Sequence, residues 1–283
     1  MNTEWSALKT KLDSYQSVYD APISSLAEVN TIPDAPICGG GKVTVAVDGT
    51  HREVNYHLSK SDFWHVMLHP GRLFDGFSIS PAPLCRLALT VNNADGKADH
   101  GRHVQDMAVA EIRSVLPLEG GTLEVRCTAL AQRGLVIYEL EARGATASLS
   151  AAIEAESEHN NFYICKGKQD EETVWLRKEH QQLFAVNAAV AMRPLGATNV
   201  RSLHEQGGAA ALSFDVPAGQ TVRLLLSVAG GKEEFHHLEE ALAGLEMDGQ
   251  DARPTGEGDA IDEMLNEHAD WWQAFWLKSW LDL

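Results

Sequence analysis

The chain has 283 residues, 44% of them hydrophobic and 22% charged, with 40 acidic and 23 basic side chains that give a formal net charge of -17. That length and mix suit one large or two modest domains with a sizeable core. So acidic a surface repels phosphate backbones and anionic lipid headgroups, which argues against nucleic-acid and membrane-surface partners, while neutral polyols meet no charge conflict.

The first twenty residues, "MNTEWSALKTKLDSYQSVYD", hold no apolar run of the length a secretory leader needs, and no stretch of about 20 apolar residues suits a membrane span. The expectation is a soluble chain, either cytoplasmic or exported with its signal trimmed. Next comes "CGGGK", Cys38 to Lys42. Its glycines suit a phosphate cradle, but the segment after it reads as a strand and not as the helix whose N-terminus would bind the anion. A tight bend or a close backbone approach is expected there instead. "KVTVAVDGTHREVNYHL" then alternates Val43, Val45 and Val47, offers Asp48-Gly49 as a turn, and alternates again at Val54, Tyr56 and Leu58, predicting a β-hairpin.

"NYHLSKSDFWHV", Asn55 to Val66, predicts a strand ending at Leu58 and a polar turn, Ser59 to Asp62, that presents Phe63 and Trp64. An exposed Trp beside Asp and His matches the apolar face and polar edge of a sugar ring; a Trp buried between sheets with Asp62 capping a turn is the plain alternative. "HVMLH", His65 to His69, has the i, i+4 spacing of a zinc-protease helix, but Val66 stands where the general-base Glu belongs and Pro70-Gly71 ends the element. The pairs His100/His103 and His236/His237 read as loop and helix-surface positions, so neither a metal nor any other cofactor is expected.

From about residue 40 to 230, short segments rich in Val, Ile, Thr and aromatics recur, separated by Gly, Pro, Asn and Asp. "PLCRLALTV", "MAVAEIRSVL", "GTLEVRCTAL", "GLVIYELEA", "ETVWLRKE", "LFAVNAAVAMRP", "AALSFDVPAG" and "TVRLLLSVAGG" are the clearest. Without intervening helical periods they predict antiparallel sheets stacked as a sandwich, a mainly β fold. Cys38, Cys85, Cys127 and Cys165 have no C-x-x-C spacing and are expected to be reduced core thiols. No "GxSxG" elbow is present, and the many carboxylates cannot be paired by spacing, because a glycosidase pair is defined by its separation in space.

After Gly231 the period changes to that of a helix. Residues 233–246 read as amphipathic, "MDGQDARPTGEGD" as a polar linker, and a second helix runs from about Ala260 with Ile261, Met264, Leu265, His268, Trp271, Trp272, Phe275 and Trp276 on its apolar face. Four tryptophans, counting Trp280, fall in the last thirteen residues. Left exposed, such rings would form a sticky patch.

Two stretches together resemble a known family. Pro36, Gly39, Gly41, Val45, Gly49, Tyr56, Asp62 and Trp64 match the opening "MPLGNG.LG..V...G.....Y....D.W" of the N-terminal β-sandwich domains of (α/α)6-barrel glycoside hydrolases, family 95-like and uncharacterised relatives. The family's Asn between two glycines is Gly40 here. His268, Trp271, Trp272, Phe275, Trp276 and Ser279 match the helix "H..WW..FW..S" that joins sandwich to barrel.

The resemblance implies a galactose-mutarotase-like supersandwich over 1–232 and a helical linker over 233–283 leading to a catalytic helical domain. That domain would be contacted through Trp271, Trp272, Phe275, Trp276 and Trp280. The chain itself would hold no catalytic residue and would offer Asp62, Trp64 and His65 to the edge of an oligo- or polysaccharide site. Two rivals stand beside this: a stand-alone carbohydrate-binding module, and a mutarotase-like epimerase needing His57 or His65 opposite Glu179 or Asp215.

Overall fold

The computed structural model of the chain describes residues 3–20, 35–68, 77–98, 100–155, 162–180, 186–203, 209–232, 236–246 and 257–279. The fold is a β-sandwich of two antiparallel sheets. The strands are β1 (Ser17–Tyr19), β2 (Ile37–Gly39), β3 (Val43–Gly49), β4 (Glu53–Leu68), β5 (Phe77–Val91), β6 (Arg102–Asp106), β7 (Glu111–Leu118), β8 (Gly121–Ala129), β9 (Leu135–Arg143), β10 (Ala147–Glu154), β11 (Phe162–Lys168), β12 (Val174–His180), β13 (Val186–Leu195), β14 (Thr198–Leu203), β15 (Ala209–Val216) and β16 (Thr221–Lys232). Three helices, α1 (Thr3–Ser14), α2 (His237–Ala243) and α3 (Glu257–Ser279), complete the described structure.

The larger sheet has the order β1-β6-β7-β8-β9-β16-β13-β12-β11, and the smaller β14-β15-β10-β5-β4-β3-β2. Each inner face follows from period-2 alternation: in β7, Ile112, Leu116 and Leu118 are buried while Arg113 points out, and in β3, Val43, Val45 and Val47 are buried around an exposed Thr44. These inward residues merge into one core between the sheets, in which Tyr56 from the smaller sheet meets Tyr138 from the larger edge to face at 4.8 Å.

β13 is buried continuously from Val186 to Met192, on both its faces. The reason is a second apolar layer outside the larger sheet, where Ala189, Ala191, Ile137 and Leu225 pack against Ala241 and Leu245 of the α2 region and Ile261 of α3. A third small cluster joins Trp5, Leu8 and Leu12 of α1 to Ala108, with Trp276 of α3 against it.

Several expectations need correction. The hairpin forms, but Asp48 and Gly49 lie within β3, opposite Asn55 and Val54, and the turn is Thr50–Arg52, closed by the Thr50 amide donating to the Glu53 carbonyl at 2.8 Å. The strand expected to end at Leu58 runs to Leu68. It carries His65 in extended backbone, which rules out the helical i, i+4 geometry; His69 lies outside the described residues. His103 and His237 are buried, not loop or surface residues. No group of three metal-capable His, Cys, Asp or Glu side chains occurs among the described residues. All four cysteines are free thiols, and Cys38, Cys85 and Cys127 are buried in the core as expected.

His103 Nδ1 lies 2.8 Å from the Ser114 hydroxyl, and burial pushes its pKa down to about 4. In the unfolded chain the ring titrates near 6.5. Its contribution to stability is therefore complete above pH 6.5 and is lost as pH falls through the window down to about 4, where the loss reaches roughly 3 kcal/mol. His268 is shifted the same way by burial, whereas Glu111, raised by burial, favours the fold in acid. Urea denaturation across that pH range is expected to show His103→Gln losing less stability on acidification than the unaltered chain; parallel curves would contradict this reading.

Candidate functional site

The first part of the site is a break in the β4–β5 ladder. Pairing is regular from Glu53↔Thr90 to Leu58↔Cys85, then slips, with Ser59 opposite Pro83 and Trp64 opposite Pro81. Lys60, Ser61, Asp62 and Phe63 therefore stand opposite Ala82 alone. Prolines at 81 and 83 lack the N–H that a continuous ladder requires, so β4 bulges out here. The polar stretch read from sequence as a turn is this bulge inside a longer strand.

The bulge sorts its side chains sharply. Phe63 is fully buried in the inter-sheet core, while its neighbour Trp64 is 42% exposed. The Trp64 indole Nε1 donates to the Ser61 carbonyl at 2.7 Å, fixing the ring against the bulge. Lys60 is buried, its ammonium donating to the Asp62 carboxylate and, at 2.7 Å, to the Gly230 carbonyl of β16. Gly230 is held at φ 152, and a Cβ there would sit 2.7 Å from the Asn187 carbonyl oxygen, so only glycine lets β16 approach β13 this closely. Asp62 remains 58% exposed despite its ion pair. His65 is placed by backbone alone, opposite Ser80.

The bulge opens onto a cleft of about 880 Å³ between the sandwich and helices α2 and α3. Three cationic residues, Lys42, Lys60 and Arg133, face five carboxylates, Asp62, Glu240, Glu246, Glu263 and Glu267, with Leu135 and Met264 the large apolar side chains on its wall. Arg133 is paired to Glu267 at 2.7 Å. Such a lining disfavours anions and offers several acceptors to hydroxyl donors. Of the sequence-chosen residues, Asp62 lines this cleft; Trp64 stands beside it on the outer surface. The acidic residues from α2 and α3 were missed, because only the fold brings them opposite β4.

The third part is α3 itself. His268 is buried and acts as a bolt: its Nδ1 accepts from the Ala131 amide at 3.0 Å, so its Nε2 carries the proton and donates to the Val109 carbonyl at 2.7 Å. Burial lowers its pKa, which keeps the ring neutral. The Trp276 indole donates to the Met107 carbonyl at 2.9 Å. Two loops of the larger sheet, 107–110 and 130–134, are thereby tied to one helix. His268→Ala leaves the Ala131 amide and the Val109 carbonyl unpaired, with an expected loss of about 2 kcal/mol in chemical denaturation; a loss under about 0.5 kcal/mol would remove the bolt from this account.

The remaining rings on α3 pack mainly on one another. Trp271 stacks on Phe275 with centroids 5.7 Å apart and planes 9° apart, and Trp272 lies edge to face with both. Phe275 is 39% exposed and Leu277 37%. The Trp272 indole N–H is buried with no hydrogen-bond partner among the described residues. Trp280 lies outside the described residues.

Of the residues weighed for an epimerase, Asp215 is not brought to His57 or His65. His57 is 3.2 Å from Asp48. Asp215, on β15, is separated from β4 by β10 and β5, a span of roughly 14 Å at the usual strand spacing. Glu179 is in the other sheet and pairs with Arg177 at 2.7 Å.

No protein-family profile and no curated protein matches the sequence. Among solved structures, the chain is similar to one described as "Putative kojibiose phosphorylase from human microbiome", with a TM-score of 0.59 at 6% identity, over 85% of this chain and 35% of that one. A family GH92 alpha-mannosidase from Bacteroides thetaiotaomicron also matches, with a TM-score of 0.32 at 9% identity, over 85% of this chain and 35% of that one. The second score is too low to carry an argument. The first likeness is one of fold, and the chain spans 35% of the length of the structure that shares it.

Proposed function

We propose that this chain is the front β-sandwich unit, residues 1–232 with a helical linker over 233–283, of a larger enzyme that cleaves glycosidic bonds. The sandwich buttresses a helical catalytic domain, and the β4 bulge, with Asp62, Trp64 and His65, lends an edge to the sugar site. The acid and base that break the bond belong to that helical domain, so the chain by itself is not a catalyst. The observation that carries this reading is the ring face of α3: its inner side is bolted to the sandwich by His268 and Trp276, while Phe275 and Leu277 face outward. A face half used by its own domain suits a second body packed on the other side. The shared fold with a longer chain, whose printed name is that of a sugar-processing enzyme, supports the same assignment.

Trp64 gives the sugar-edge role its test. Titrating the chain with neutral oligosaccharides, followed by NMR shifts, is expected to show weak binding on the order of millimolar, without bond cleavage, and about tenfold weaker in Trp64→Ala through loss of ring stacking. Micromolar affinity would favour a stand-alone binding module instead. Binding indifferent to Trp64 would remove the bulge from the sugar site.

A further inference from the structure

Cys38 and Cys127 sit in opposite sheets, on β2 and β8, with their sulfurs 3.9 Å apart. Both are buried, and the Cys38 thiol also lies 3.7 Å from the Cys127 carbonyl oxygen. β2 is a three-residue edge strand, paired to β3 alone through Ile37, Cys38 and Gly39. An edge strand this short can shift by the roughly 2 Å needed to bring the sulfurs to bonding distance. Cys165, on β11 at the far edge of the larger sheet, is separated from β8 by four strands. Cys38 is the thiol in contact with Cys127 across the core.

We propose that Cys38 and Cys127 form a disulfide that staples the two sheets together when the chain folds in the presence of a small-molecule disulfide oxidant. The chemistry is two thiol–disulfide exchanges. One cysteine thiolate attacks the small disulfide and releases one small thiol; the other cysteine thiolate then attacks the protein sulfur of that mixed disulfide, forming the S–S bond and releasing the second. Two electrons pass to the oxidant, and each released thiolate takes up one of the protons the cysteines lost.

The order of events follows from burial. A mixed disulfide has no room between the packed sheets, and burial raises the Cys127 thiol well above its ordinary range. The bond therefore forms before the sheets close and is shielded from reductants afterwards. It would close a loop from residue 38 to residue 127, long enough for a large restriction of the unfolded chain. This inference stands apart from the sugar-enzyme reading, since it concerns the sandwich core alone.

The test is to refold the denatured full chain with oxidised and reduced glutathione and compare it with chain refolded under reductant. Expected is a mass loss of two hydrogens, a single cross-linked peptide pair containing Cys38 and Cys127, and a thermal midpoint raised by about 5–10 °C. Cys38→Ser and Cys127→Ser should each abolish the cross-link and the shift, whereas Cys85→Ser and Cys165→Ser should keep both. Circular dichroism on each variant confirms that it folds, and Cys38→Ala replaces the serine variant if the hydroxyl is not tolerated. A fully reduced mass after oxidative refolding, or a cross-link through Cys85 or Cys165, overturns the proposal.

Discussion

Replacing Gly40 by alanine is expected to destabilise the fold by more than about 4 kcal/mol, a large share of the roughly 5–15 kcal/mol that holds an ordinary chain folded. A Cβ at Gly40 would lie 2.1 Å from the Leu130 carbonyl oxygen and 2.6 Å from that of Ala129. Both are backbone atoms, at the end of β8 and the start of the β8–β9 connection, and cannot swing aside as a side chain would. The same residue is hydrogen bonded on both sides, its amide donating to Val43 at 3.0 Å and its carbonyl accepting from the Gln132 amide at 2.7 Å. Gly41, one residue on, has φ 87 and only the Gln132 side chain nearby. Gly41→Ala is thus expected to cost about 1–2 kcal/mol from backbone strain alone. Urea denaturation of the two variants side by side separates a steric block from a conformational preference; equal costs would contradict the close-approach account.

The second large effect is expected at Phe63. Its ring is fully buried at the point where the bulge leaves the ladder, so Phe63→Ala removes the plug that ties the bulge to the core, at a cost of about 3–5 kcal/mol. Trp64→Ala, at the next residue, should change stability by less than about 1 kcal/mol, because its ring is 42% exposed. Denaturation midpoints of the two variants decide whether the inward ring and the outward ring have been assigned correctly. If Trp64→Ala were the costlier change, the outward ring would be structural and unsuited to a ligand.

Much of the sandwich was legible in the sequence because alternating Val, Ile and Leu write the inner faces directly. β10, "ASLSAAIE", escaped the reading because its Ala and Ser residues have weak strand preference and are held extended by β5 and β15 on either side. α1 is faint in the sequence because its helical signal rests on Trp5, Leu8 and Leu12 alone, three large apolar residues in a polar segment. The long course of β4 was hidden because a polar run looks like a turn unless the partner strand, with Pro81 and Pro83, is placed beside it. Asp62 and Trp64 could be chosen from local chemistry, but the carboxylates of α2 and α3 across the cleft depend on tertiary packing. His103 and His237 could not be told from surface histidines, since nothing local marks a buried ring.

The glycines of "CGGGK" repay attention for the opposite reason. Three glycines before a strand imply a tight bend or a close backbone approach, and at Gly40 the backbone of Leu130 is in contact range of where a side chain would begin. A helix that joins sandwich to barrel, as the resemblance implies for α3, has to pack on two sides. One side is now explicit in the contacts to α1, Met107 and Val109.

The proposed second side is tested most directly by the reading frame that follows Leu283 in the source DNA. The account predicts that it continues in frame for several hundred residues of paired helices, with acidic residues at the loops between them, and so supplies the body that covers Phe275 and Leu277. A stop codon directly after Leu283 would contradict it, leaving the outward rings of α3 without the domain they are proposed to meet.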